Sequence, residues 1–109
     1  MAETIKTLAQ SKPAAATLTD AYTVPAATSA VVSTVVVCNQ SAVSTTYRLS
    51  VAVAGAADTS KQYVAYDVAI AGNETIAFTL GLTLAATDVL RVYALLATLS
   101  FNVFGVEET

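Results

Sequence analysis

The chain has 109 residues, 55% of them hydrophobic and 12% charged, with a formal charge of -3; this length suits one compact domain and excludes a two-domain enzyme with a cleft between its halves. A folded monomer of this mass exposes roughly 5,700 Å², and so few charges leave most of that surface to Ser, Thr and Ala, as suits a subunit covered inside an assembly. The five cations (Lys6, Lys12, Arg48, Lys61 and Arg91) are scattered and give no basic footprint for nucleic acid, while the single Cys38 allows neither an intrachain disulfide nor a zinc site.

Residues 1–16 combine low hydrophobic density with a Lys12-Pro13 stop and predict an extended N-terminal arm, lying along a neighbour or frayed. Residues 17–109 then form the domain. The opening residues lack the basic and apolar runs of a secretory signal, so export by that route is not expected. Residues 21–47 carry no formal charge, but Pro25, Asn39, Gln40 and repeated Ser and Thr interrupt them, and no membrane helix is expected.

Apolar residues recur with a period of two along most of the chain, which predicts strands. Weak candidates lie at 4–8 and 22–24. In residues 29–39, Val31, Val35 and Val37 share one face and Val32, Val36 and Cys38 the other, predicting a central strand covered on both sides, with Val36 buried. In residues 45–54 the inward set is Tyr47, Leu49, Val51 and Val53. In residues 62–70 it is Val64, Tyr66, Val68 and Ile70, with Asp67 facing solvent or a partner. Residues 75–82 turn Ile76, Phe78, Leu80 and Leu82 inward, and strands at 89–94 and 99–104 follow, the latter with Leu99, Phe101 and Val103 inward. Turn formers separate these runs every 8 to 12 residues. The predicted fold is all-β: a single-domain antiparallel β-sandwich, jelly-roll-like or Ig-like, of about eight short strands.

The side chains that do chemistry are sparse. With no histidine, the usual general base, triad partner and metal ligand are all missing. Asp58, Glu74 and Asp88 fall in predicted loops and read as solvated, and no Asp-x-Asp run suggests calcium. Cys38 lies among valines without a nearby cation, as a packed thiol would. The glycines Gly55, Gly72, Gly81 and Gly105 are too far apart for a phosphate loop. Neither catalytic residues nor a cofactor or metal are expected. Asn39-Gln40-Ser41 and Asn73-Glu74-Thr75 match the glycosylation acceptor pattern, which without a signal peptide reads as coincidence. Tyr63 and Tyr66 fall on opposite faces of a regular strand, so one of them points outward as an interface anchor. The candidate assembly interface is Tyr63, Tyr47, Tyr93, Lys12 and Pro13.

The run from Ser11-Lys12-Pro13-Ala14 to Tyr22-Thr23-Val24-Pro25-Ala26, together with Val35-Val36-Val37-Cys38-Asn39 and Leu80-Gly81-Leu82-Thr83-Leu84-Ala85-Ala86-Thr87-Asp88-Val89, resembles small virion structural proteins of tailed bacteriophages. The resemblance implies a non-enzymatic capsid decoration (cement) protein, assembled in the host cytoplasm. Its expected partners are copies of itself, for example in a trimer, and the major capsid protein, with no nucleic acid and no membrane. Its alternative is a tail fibre or baseplate component that holds a host-surface glycan through the loop at residues 55–60 and outward tyrosines. The resemblance identifies no functional residues.

Overall fold

A computed structural model of the chain describes residues 2–109. The alternating segments become nine strands: β1 (Glu3–Ser11), β2 (Thr19–Thr23), β3 (Ser29–Asn39), β4 (Thr45–Ala52), β5 (Tyr63–Ile70), β6 (Thr75–Phe78), β7 (Leu82–Leu84), β8 (Val89–Ala94) and β9 (Leu99–Glu108). The first sheet runs β1-β9-β3-β6, with β7 also on β3, and the second runs β2-β8-β4-β5. The pairing is nested and antiparallel: β4 with β5, β3 with β6 and β7, β2 with β8, β1 with β9. One long ribbon is thus rolled into two facing sheets, which is jelly-roll rather than Ig-like connectivity.

The ninth strand comes from the segment predicted as one strand at 75–82. It breaks at Gly81, whose φ is +63°, and resumes as β7 on the same edge of β3. Leu80 is consequently exposed rather than inward. The predicted N-terminal arm is also corrected, because Glu3–Ser11 pairs along β9 and forms the edge of the first sheet. Beyond it Pro13 is buried, and Ala16 N donates to Ala94 O at 2.8 Å, so this stretch is fixed to the sandwich.

The core lies between the sheets. Val32, Val35, Val37, Leu99, Phe101 and Val103 of the first sheet meet Tyr47, Leu49, Ile70, Leu90 and Val92 of the second, all essentially without solvent contact. Tyr47 sits at the centre, edge-on to Phe78 (centroids 5.9 Å apart) and Phe101 (6.1 Å). At the open end, Glu107 ties three strands together. Its Oε2 accepts from Tyr22 Oη at 2.5 Å and its Oε1 from Lys6 Nζ at 3.0 Å.

Bulges explain where strict alternation fails, since one extra residue moves every later side chain to the other face. Ser33 interrupts the pairing of β3 with β9. Val32 is therefore inward before the bulge and Val35 and Val37 after it, leaving Val31, Val36 and Cys38 on the outer face. The expected burial of Val36 is corrected: it is half-buried, facing outward between Ala77 and Asn102. Leu8 makes the matching bulge in β1. Gly105, inward on the strand between them, approaches so closely that an added Cβ would lie 2.0 Å from Val31 O.

Candidate functional site

Two outer faces result, and they differ in chemistry. On the second sheet, Tyr47 pairs with Val68 and Leu49 with Ala65, so Tyr66 and Asp67 together oppose Arg48 alone. Asp67 takes a φ of 51° in this bulge. A second irregularity makes Val64 the extra residue, and Tyr63 then faces Ser50. Tyr63, Tyr66 and Asp67 all turn outward as a result, which corrects the inward assignment of Tyr66 and Val64.

Arg48 is the hub of this face. Its Nε donates to Asp67 Oδ1 at 2.6 Å, and its guanidinium lies 4.2 Å from the Tyr66 centroid and 4.5 Å from that of Tyr93 on the neighbouring strand β8. The hydrogen bond it donates to Asp67 raises the Arg48 pKa above its ordinary value. Tyr63 meets Tyr66 edge to face, with centroids 5.1 Å apart, and its Oη donates to Asp58 Oδ2 at 2.9 Å. Partial burial first and this bond second raise the Tyr63 phenol.

Residues 53–62 are fastened beside the same face, where Ser50, Ala52 and Val89 are buried. Three side chains fasten this segment. Arg91 Nη1 donates to Ala56 O (2.8 Å), Gln62 Nε2 donates to Ala57 O (2.9 Å), and Asp88 Oδ1 accepts from Ala54 N (2.9 Å). Asp88 Oδ2 also accepts from Ala85 N, so this residue is a buried staple and not the solvated loop carboxylate expected. The fastened loop and the tyrosines enclose an open cleft of ≈ 510 Å³ lined by Arg48, Asp58, Thr59, Ser60, Tyr63 and Tyr66.

The outer face of the first sheet carries a different pattern. Ile5, Val106 and Val31 stand side by side across β1, β9 and β3, and Thr7, Phe104 and Thr34 form the next row. Ile5 is 86% exposed, Val31 43% and Phe104 37%. Further along, Gln10 Nε2 donates to Asn102 Oδ1 at 2.8 Å. Among the described residues this face bears no charge between Glu3 and Glu108 at one end and Lys12 at the other.

The residues predicted for the assembly interface do not share a surface. Tyr63 and Tyr93 belong to the Arg48 cluster, and Lys12 is exposed at one end of the opposite face. Tyr47 and Pro13 are buried and leave the candidate set. Cys38 is half-buried on the outer face beside Ser100 and Thr75, not packed in the core. Asn39 is buried: its Nδ2 donates to Val43 O and Ala71 O, and its Oδ1 accepts from Ser41 N, so it organises the β3–β4 turn and is closed to glycosylation. Sequence reasoning overlooked Ile5, Phe104 and Val106. Their signal was legible in the second phase of β9, where the outward positions change from Ser100 and Asn102 to Phe104 and Val106.

Among the described residues no helix is long and apolar enough to cross a membrane, and no three His, Cys, Asp or Glu side chains group as metal ligands would. Compared with protein-family models, curated proteins and solved structures, the chain matches none.

Proposed function

We propose that the chain is a virion structural subunit without enzymatic activity, of the capsid decoration (cement) type. In this reading it associates with copies of itself through the outer face of the first sheet and clamps the outer surface of the shell. The observation that carries it is the charge-free face with the row Ile5, Val106 and Val31 and the adjoining Phe104. Four strands about 4.8 Å apart and roughly 33 Å long present on the order of 600 Å², approaching the ~800 Å² each partner contributes to a stable interface. An uncharged face of that size, with exposed Ile5, Val31 and Phe104 grouped together on it, suits a contact surface. A second copy offers the same uncharged chemistry and leaves no carboxylate or cation unpaired in the middle of the contact. Subunits that bind only the assembled shell stabilise it by mass action, and several weak contacts per oligomer add through effective concentration.

Light scattering across a concentration series tests the self-association. The parent is expected to form a closed oligomer, and Phe104→Asp to remain folded but shift to monomer. A parent that stays monomeric, or a Phe104→Asp variant that associates as the parent does, removes this interface. The decoration role is tested by adding the oligomer to heads assembled without it. Occupancy and a raised disruption temperature are expected; an oligomer that leaves the heads bare ends that role. The alternative, a tail fibre or baseplate component that holds a host-surface glycan, has a separate observation in its favour, the aromatic cleft on the second sheet.

A further inference from the structure

We propose that the cleft beside Arg48 binds a neutral saccharide, seated against the Tyr63–Tyr66 corner and hydrogen-bonded by Asp58, Thr59 and Ser60. This deepens, and rests on, the glycan-binding alternative by naming the ligand class and the residues.

The aromatic part is accessible. Tyr66 is 58% exposed, and the two rings stand at 88° to each other, giving a corner of C–H-accepting surface beside polar groups. An external organic cation is a poor match, because the Arg48 guanidinium lines the same cleft beside the Tyr66 ring and would repel it. An anion is a poor match as well. Arg48 is committed to Asp67, and Asp58 is the carboxylate of the lining, so a phosphate, sulfate or uronate would meet Asp58 with no uncommitted cation to balance it. Lys61 lines the adjoining groove with Val51, Val53, Ala56 and Gln62 and not this cleft.

A polyol satisfies what remains. Asp58 accepts from Tyr63 through Oδ2, which leaves Oδ1 to take a hydroxyl proton, while the Thr59, Ser60 and Tyr66 hydroxyls can each donate and accept. The volume of ≈ 510 Å³ falls within the ~300–1,000 Å³ typical of small-molecule sites. The site is also preorganised: Arg91, Asp88 and Gln62 fasten the loop that carries Asp58, Thr59 and Ser60, so little ordering is left for binding to impose.

The test displays the full chain multivalently on streptavidin, so that a weak single site registers as avidity. The probes are neutral oligosaccharides (maltohexaose, cellohexaose and mannohexaose) and anionic ones (sialyllactose and hyaluronan hexasaccharide). Retention of at least one neutral probe is expected, reduced about tenfold or more by Tyr66→Ala and by Asp58→Ala and unchanged by Gln10→Ala on the opposite sheet. Both cleft residues are exposed, and thermal melting verifies that their variants fold. Retention of anionic probes alone overturns the neutral class and leaves the glycan reading standing. Retention of neither class overturns both. Neutral binding indifferent to Tyr66→Ala and Asp58→Ala places any saccharide elsewhere and overturns the assignment to this cleft.

Discussion

Tyr47 shows how a single side chain can be central to the packing and yet carry an unused polar group. Its ring is fully buried against Phe78 and Phe101, but its Oη has no hydrogen-bond partner among the described residues. Burial first, and the nearby Glu74 carboxylate second, push its pKa up to about 12. A buried hydroxyl without a partner bears its full desolvation cost, about 1–3 kcal/mol. Tyr47→Phe keeps the ring contacts and removes that cost, so it is expected to melt at or above the parent temperature; a loss of more than about 1 kcal/mol in denaturant melts would reveal a bond to water that this reading omits. Glu107 gives the corresponding acid prediction. The hydrogen bond from Tyr22 first, and that from Lys6 second, lower its pKa below the ordinary 4.5. A depressed carboxylate contributes stability that is present above its unfolded pKa and lost as pH falls through the folded value. The parent should therefore lose stability below about pH 4.5 more steeply than Glu107→Gln, and parallel curves would rule out this contribution. Tyr22 works in the opposite direction. Burial and its bond to Glu107 raise its pKa, so its contribution is present below pH 10 and declines above it.

At the scale of elements, Asp88 joins two segments far apart in sequence. It binds the backbone of Ala54 in the fastened loop and of Ala85 in the turn before β8. Two charge-assisted bonds to a buried carboxylate predict that Asp88→Ala costs about 2–4 kcal/mol in chemical denaturation. Asp88→Asn retains an acceptor and should recover part of the loss. A cost below about 0.5 kcal/mol, the ordinary range for surface substitutions, would return Asp88 to the status of a solvated loop residue. The period-two reading located seven of the strands in essence, because β-branched and aromatic alternation is a local property that a half-buried strand needs. It failed wherever a bulge changed phase. Residues 62–70 read as a regular strand with Val64 and Tyr66 inward, whereas two irregularities in the pairing of β5 with β4 turn Tyr63 and Tyr66 to the same side. No local composition marks a bulge of this kind; Asp67 at a φ of 51° is tolerated because its carboxylate is held by Arg48 across the strand pair. The cleft was legible only in its parts, as outward tyrosines and the 55–60 loop. Its assembly depends on β4 and β5 meeting out of register and on Arg91 reaching the loop backbone over 35 residues of sequence.

For the whole molecule, nested pairing of one ribbon gives two sheets whose outer faces are chemically independent. The first sheet offers an uncharged face, and the second a polar face organised by Arg48. Association through the first would leave the cleft on the second open to solvent, so self-assembly and ligand binding do not compete for the same residues. The difference also predicts how association responds to solution conditions. A contact built on Ile5, Val31, Phe104 and Val106 gains its free energy from apolar burial, which salt screening does not weaken and which excluded salts such as sulfate strengthen. Between about 50 and about 500 mM NaCl the Debye length falls from roughly 14 to 4 Å, and the oligomer should keep its mass over that range. Ammonium sulfate should tighten it, and cooling should loosen it, as apolar burial weakens at low temperature. Light scattering under these three conditions separates the two faces: dissociation driven by NaCl alone would mean that ion pairs hold the copies together, and would move the interface to the charged groups Arg48, Asp67, Arg91 and Asp20 of the second sheet.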